Sequence, residues 1–124
     1  MSWNFIATIL IVEDDLYITR LIKLLLEGHG HRVVGTAQNG QMAIDLFKSL
    51  SKKPDIVIMD YRMPIKNGIE ITSEILQISN RARIIFTTAD EDIKEQALKV
   101  GAFCVINKPF DFNDLILRID EAIY

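Results

Sequence analysis

Residues 55–64 read Asp-Ile-Val-Ile-Met-Asp-Tyr-Arg-Met-Pro (DIVIMDYRMP). An apolar run, Ile56 to Met59, ends at the carboxylate of Asp60, and Pro64 follows shortly after. The run suits a buried strand, where an unpaired charge is expensive. Either Asp60 lies just past the strand in a turn, or the fold has a use for a charge at the end of a buried sheet.

Similar short, β-branched runs occur at Thr8–Val12, Arg32–Gly35, Ile84–Thr87 and Cys104–Ile106. Their near-continuous apolar character predicts parallel strands covered on both faces. Segments with helical spacing lie between them. Ile18, Leu21, Ile22 and Leu25 recur at i, i+3, i+4 and i+7, with Gly28 placed to act as the residue that ends the helix. Further helices are predicted over Gln41–Leu50, Gly68–Ile78, Ile93–Val100 and Asn113–Ile123. The last starts with Asp111 as N-cap and buries Leu115, Ile116, Ile119 and Ile123. Strand and helix thus alternate five times along the chain, which predicts an α/β fold with an open, mostly parallel sheet.

Size and composition agree. The 124 residues suit a single domain, which buries roughly two-thirds of its unfolded surface. Hydrophobic residues make up 49% and charged ones 25%, an ordinary globular balance rather than a disordered one. The net charge is −3 and the 14 basic residues are scattered, which argues against a nucleic-acid surface. The single cysteine, Cys104, excludes an internal disulfide and reads as a small buried hydrophobe. The opening MSWNFIATILIV lacks the basic start and cleavage site of a signal peptide. No stretch reaches the length of a membrane span. A cytoplasmic protein without membrane insertion is expected.

In open α/β sheets, ligands bind beyond the carboxyl ends of the strands. The first run is followed by Glu13, Asp14 and Asp15, and the third by Asp60. The fourth leads into Thr87, Thr88, Ala89 and Asp90, and the fifth into Asn107, Lys108 and Pro109. One acid after a strand means little, because turns favour Asp; the set is informative. Glu13, Asp14 and Asp60 would crowd negative charge into one pocket, which raises pKa values or demands a cation. Mg²⁺ suits such carboxylates and shares its remaining positions with water or phosphate oxygens. With Lys108 as a compact positive charge and Thr88 as a hydroxyl donor, the set could hold a phosphoryl group while a carboxylate attacks phosphorus.

ILIVEDD, IVIMDYRMPIKNG, FTTAD and GAFCVINKPF, in this order, resemble the receiver domain of two-component response regulators over essentially the whole chain, residues 1–124. The resemblance implies a flavodoxin-like (βα)5 domain with strand order 2-1-3-4-5 and helices on both faces. It implies that Asp60 accepts a phosphoryl group from a sensor histidine kinase or histidine phosphotransfer protein, and that the domain is not a conventional enzyme. Asp14 matches the direct Mg²⁺ ligand, Glu13 a ligand acting mainly through water, and the backbone carbonyl of Arg62 the main-chain ligand; Mn²⁺ could replace Mg²⁺. Thr88 matches the switch hydroxyl, Ala89 its small companion, Lys108 the lysine of the site, and Pro109 a residue preceded by a cis peptide bond. Gly68 falls in a loop that tolerates little bulk. The output surface is expected on the fourth helix, fifth strand and fifth helix, which here carry Lys94, Glu95, Lys99, Asp114 and Arg118, with no basic stripe for DNA.

The sequence departs from the family pattern at Val105, where many receivers carry an aromatic ring that turns inward on activation. A signal through the loop after Thr88 and the following helix is expected instead. Phe103 is expected to share Val105's face of the strand.

Other residues receive plainer readings. Asp15 is a helix N-terminal acid favoured by the dipole, Thr87 a strand residue, and His29 and His31 are solvated loop residues. Arg62 could shield the site or be an exposed side chain, and Trp3 and Phe5 should pack on the domain edge. An aspartyl-phosphate hydrolase would need a second acid two residues after Asp60, where Arg62 stands. A glycine-rich nucleotide loop is absent from the sequence. The remaining alternative is a degenerate receiver that binds partners without phosphorylation. Tyr124 falls where the fifth helix should finish, and no output domain is recognisable in the sequence.

Overall fold

The computed structural model describes residues 6–123. Trp3 and Phe5 lie outside the described residues. Strands β1 (Thr8–Val12), β2 (Arg32–Ala37), β3 (Ile56–Asp60), β4 (Arg83–Thr88) and β5 (Cys104–Asn107) alternate with helices α1 (Leu16–Gly28), α2 (Gly40–Ser49), α3 (Gly68–Ile78), α4 (Lys94–Val100) and α5 (Phe112–Ile123). All strand pairs are parallel and the order is β2-β1-β3-β4-β5. The expected α/β flavodoxin-like architecture is therefore the one observed.

Strand residues alternate between two cores, as a period of two requires. Leu10, Val12, Val57, Met59, Ile84 and Phe86 pack with Ala43, Phe47, Ile71, Ile75 and Ala97 from α2, α3 and α4. Ile9, Ile11, Ile56, Ile58 and Ile85 pack on the opposite face with Ile22, Leu26, Leu115, Ile116 and Ile119 from α1 and α5. Apolar cover on both sides explains why the runs read as nearly unbroken hydrophobic sequence.

Local signals set the helix ends. Asp111 accepts a hydrogen bond from the Asn113 amide, as the predicted N-cap, and Asp15, expected as a helix N-terminal acid, caps α1 by accepting from the amides of Tyr17 and Ile18. Asn67 caps α3, with Glu70 bonding back to the Asn67 amide. The end of α1 differs from expectation. Gly28 is the last helical residue, and Gly30, with φ 94°, takes the left-handed position. His31 N donates to Leu26 O and Gly30 N to Glu27 O, the paired bonds of a Schellman motif. The helix runs longer than its apolar spacing because Leu26 is buried at its end.

Three side chains are also placed differently. His31 is buried, its Nδ1 accepting from the Ala7 amide, because β2 brings it beneath the start of β1. His29 is exposed, as predicted. Phe103 lies just before β5, not within it; it is exposed, with the Arg83 guanidinium 6.0 Å from its ring centre. Cys104 is only half-buried, and loss of water pushes its thiol up to about 11.

Candidate functional site

The carboxyl ends of β1, β3, β4 and β5 meet on one edge, and they bring Glu13, Asp60, Thr88 and Lys108 there. Asp60 is the last residue of β3, not a turn residue, and it is buried at 5% exposure. Its backbone is held in the sheet opposite Thr87, and Tyr61 N continues the ladder to Thr87 O. The charge therefore belongs to the strand itself.

Glu13, Asp14 and Asp60 offer carboxylate oxygens that all lie within 4.8 Å of one another. Lys108 reaches into this group, with Nζ 3.0 Å from Asp60 Oδ1 and 3.1 Å from Glu13 Oε1. Glu13 is fixed further by the Asp15 amide, which donates to Oε2 at 3.2 Å. Burial pushes the Lys108 ammonium down, but its hydrogen bonds and charge pairing with Asp60, then Glu13, outweigh burial and leave its pKa raised. Asp14 is also raised, first by partial loss of water and then by the neighbouring Glu13 carboxyl. Lys108 pairs with two of the three carboxyl groups, so the donor set is hard, oxygen-rich and net negative. That chemistry fits a small divalent cation such as Mg²⁺.

Thr88 ends β4 and is buried; its Oγ1 accepts from Asp90 N at 2.9 Å, and its carbonyl accepts from Lys108 N at 2.7 Å. Ala89 is exposed and lines a groove beside Lys108. The Lys108–Pro109 bond is cis. A Cβ on Gly68 would collide with the Asp60 carbonyl oxygen and touch Phe86 Cζ, which accounts for the glycine in this loop. Asp14, Tyr61, Arg62, Met63, Pro64, Asn67 and Asp90 line a depression beside Asp60. Tyr61, Asn67 and Asp90 were not singled out as site residues from sequence. Only Tyr61's position next to Asp60 and Asp90's place in TTAD hinted at it. Thr87 stays a buried strand residue, its hydroxyl directed to Met59 O.

The family model described as response regulator receiver domain matches residues 9–120. The fold, the strand order and this acidic edge are those of a receiver domain, and the chain belongs to the response regulator receiver family. It is 39% identical over 116 residues to the chemotaxis protein CheY of Thermotoga maritima, covering 92% of this chain and 95% of that one. It is 38% identical over 117 residues to the transcriptional regulatory protein PdtaR of Mycobacterium tuberculosis, covering 93% of this chain but only 56% of that one. The chain thus spans about half the length of that relative. Among solved structures, CheY in the CheX–CheY–BeF3–Mg complex from Borrelia burgdorferi superposes with TM-score 0.89 at 28% identity, covering 95% and 90% of the two chains. TrrA of Thermotoga maritima, in complex with Mg(2+)-BeF, gives TM-score 0.84 at 30% identity, covering 94% and 99%. Receiver domains of this kind are signalling domains rather than classical enzymes. No described helix is long and apolar enough to cross a membrane.

Proposed function

We propose that residues 1–124 form one receiver domain and that Asp60 is its phospho-acceptor. An Asp60 oxygen attacks the phosphorus of a phosphohistidine on a sensor histidine kinase or histidine phosphotransfer protein. The N–P bond breaks, the imidazole leaves, and an acyl phosphate forms on Asp60. Water later attacks that phosphorus, releasing inorganic phosphate and restoring the carboxylate. The observation that carries this reading is the buried Asp60 carboxylate held by Lys108 within a cluster of acids that one lysine does not neutralise.

Glu13, Asp14, Asp60 and the Arg62 carbonyl would hold Mg²⁺, or Mn²⁺ in its place. When bound, such an ion neutralises charge on the phosphoryl oxygens. Lys108 supplies the remaining positive charge, and the Thr88 hydroxyl donates to a phosphoryl oxygen. An apolar groove lined by Ile18, Leu21, Leu25, Pro109 and Phe110 begins at Lys108 and gives a protein donor a surface beside the acceptor.

The output partner binds the face formed by α4, β5 and α5, where Leu98, Phe103 and Leu117 are exposed. Neither direct nucleic-acid binding nor membrane insertion is part of this reading, and the domain works in the cytoplasm. With Val105 half-buried against the core beneath α4, the signal leaves through the loop after Thr88.

The test is to incubate the protein with Mg²⁺ and acetyl phosphate and weigh it. An adduct of about 80 Da that is absent from Asp60→Asn supports the reading. Absence of the adduct under all donors and divalent ions sinks it in favour of a phosphorylation-independent interaction module.

A further inference from the structure

Helix α4 starts without a side-chain N-cap, unlike α1, α2, α3 and α5. It has seven residues and no side-chain cap of its own, since Ile93 occupies its N-cap position. It continues directly from a 3₁₀ turn at Glu91–Ile93, to which the Lys94 amide bonds at Glu91 O. That turn has one side-chain cap, Asp90 Oδ1, which accepts from Asp92 N at 3.0 Å. Asp90 is in turn held by its own amide, which donates to Thr88 Oγ1 at 2.9 Å. The hydroxyl at the site and the 3₁₀ turn that leads into α4 are therefore joined by two hydrogen bonds in series. Ile93, at the end of the turn, is buried in the same core as Phe86 and Ala97, with Val105 packed against it.

We propose that Asp90 is the positioning residue that couples the site to α4, an inference that rests on the receiver reading above. The Thr88 oxygen holds the Asp90 amide in its present rotamer. Side chains move between discrete staggered wells, so turning the hydroxyl toward a phosphoryl group on Asp60 carries the oxygen away from that amide. Asp90 then loses its anchor, the Asp92 amide loses its acceptor, and the 3₁₀ turn loosens at the end of a helix with no other side-chain cap. Ile93 repacks, and the surface of α4 beside Val105 changes without any aromatic ring having to turn. The device replaces a rotamer switch in the core by an uncapping step in the loop.

Amide hydrogen exchange over residues 91–100 tests the coupling, first without metal or donor. Asp90→Ala should lower protection there by about fivefold, the range expected for loss of a cap, and leave α5 unchanged. Asp90→Asn keeps an Oδ1 acceptor and should retain protection. Thr88→Val should affect the same amides, and the double variant Thr88→Val with Asp90→Ala should lose no more than the larger single loss. Unchanged protection in Asp90→Ala, or additive losses in the double variant, overturns the proposal. In the unaltered protein, Mg²⁺ with beryllofluoride should lower protection of these amides. A bound-fluoride NMR signal with unchanged exchange overturns the coupling, whereas absence of that signal overturns the receiver reading on which it rests.

Discussion

Lys108 Nζ lies 3.0 Å from Asp60 Oδ1, across a strand edge that the two residues reach from positions 48 apart in the chain. The ammonium also holds Glu13, so removing it leaves two buried carboxylates without their counter-charge. Lys108→Met should destabilise the protein by about 1–3 kcal/mol; Lys108 is partly solvated, which keeps the loss below that of a fully buried pair. Added Mg²⁺ should recover part of the loss, because a cation among the acids substitutes for the missing charge. Urea unfolding with and without Mg²⁺ measures both effects, and equal midpoints for the two proteins in metal-free buffer would refute the first.

Gly68 faces the Asp60 carbonyl so closely that a methyl group has no room, and backbone rather than a flexible side chain is what it meets. Gly68→Ala should cost about 1–3 kcal/mol through displacement of the loop against β3. A urea midpoint unchanged from that of the parent protein would show that the loop yields freely.

His31 makes stability depend on pH. Burial, opposed by the Asp120 charge and aided by His29, holds its pKa below the ordinary value of 6.5. The neutral ring accepts the Ala7 amide at Nδ1, and a protonated ring could not. The unfolded chain therefore takes up the proton first. This contribution is fully present above pH 6.5 and is lost as the pH falls from there through the folded-state pKa. The urea midpoint should fall between pH 7.5 and 5 by more than it does in His31→Gln. Parallel pH profiles for the two proteins would remove His31 as the cause.

Ile65 has φ 74° and is fully exposed, with Lys66 N bonded to Pro64 O across it. This is a γ-turn of the strained, positive-φ kind, at a β-branched residue poorly suited to it. Ile65→Gly removes the steric strain and sacrifices no buried surface, so Tm should rise by a few degrees despite the entropy cost of glycine. A fall in Tm would mean that the isoleucine contributes contacts in solution that its exposure does not suggest.

The apolar runs made the sheet legible, because strands covered on both faces must be hydrophobic at nearly every position. The acids, hydroxyl and lysine after those runs were legible as a site for a related reason. Parallel strands place all their carboxyl ends on one edge, so residues far apart in sequence are assigned to one place by topology alone. Asp15 and Asp111 were readable as acids at helix starts because the chemistry of a helix end is local.

The expectations that failed depended on neighbours brought in by folding. His31 looked like a loop residue between glycines, yet β2 pairing tucks it under Ala7. Gly28 and Gly30 are equally good helix stops in sequence, and only the burial of Leu26 carries the helix far enough to select the second. Phe103 and Val105 have the spacing of one strand face, but β5 begins between them. The link through Asp90 could not be read either, since it depends on an amide meeting a hydroxyl in one rotamer. The sequence by itself determined the layers, the order of elements and the edge where the reactive groups gather, since those follow from periodicity and parallel pairing. The tertiary structure alone decided which carboxylates Lys108 holds, which glycine ends α1 and what anchors α4, because each depends on distances of a few ångströms between distant parts of the chain.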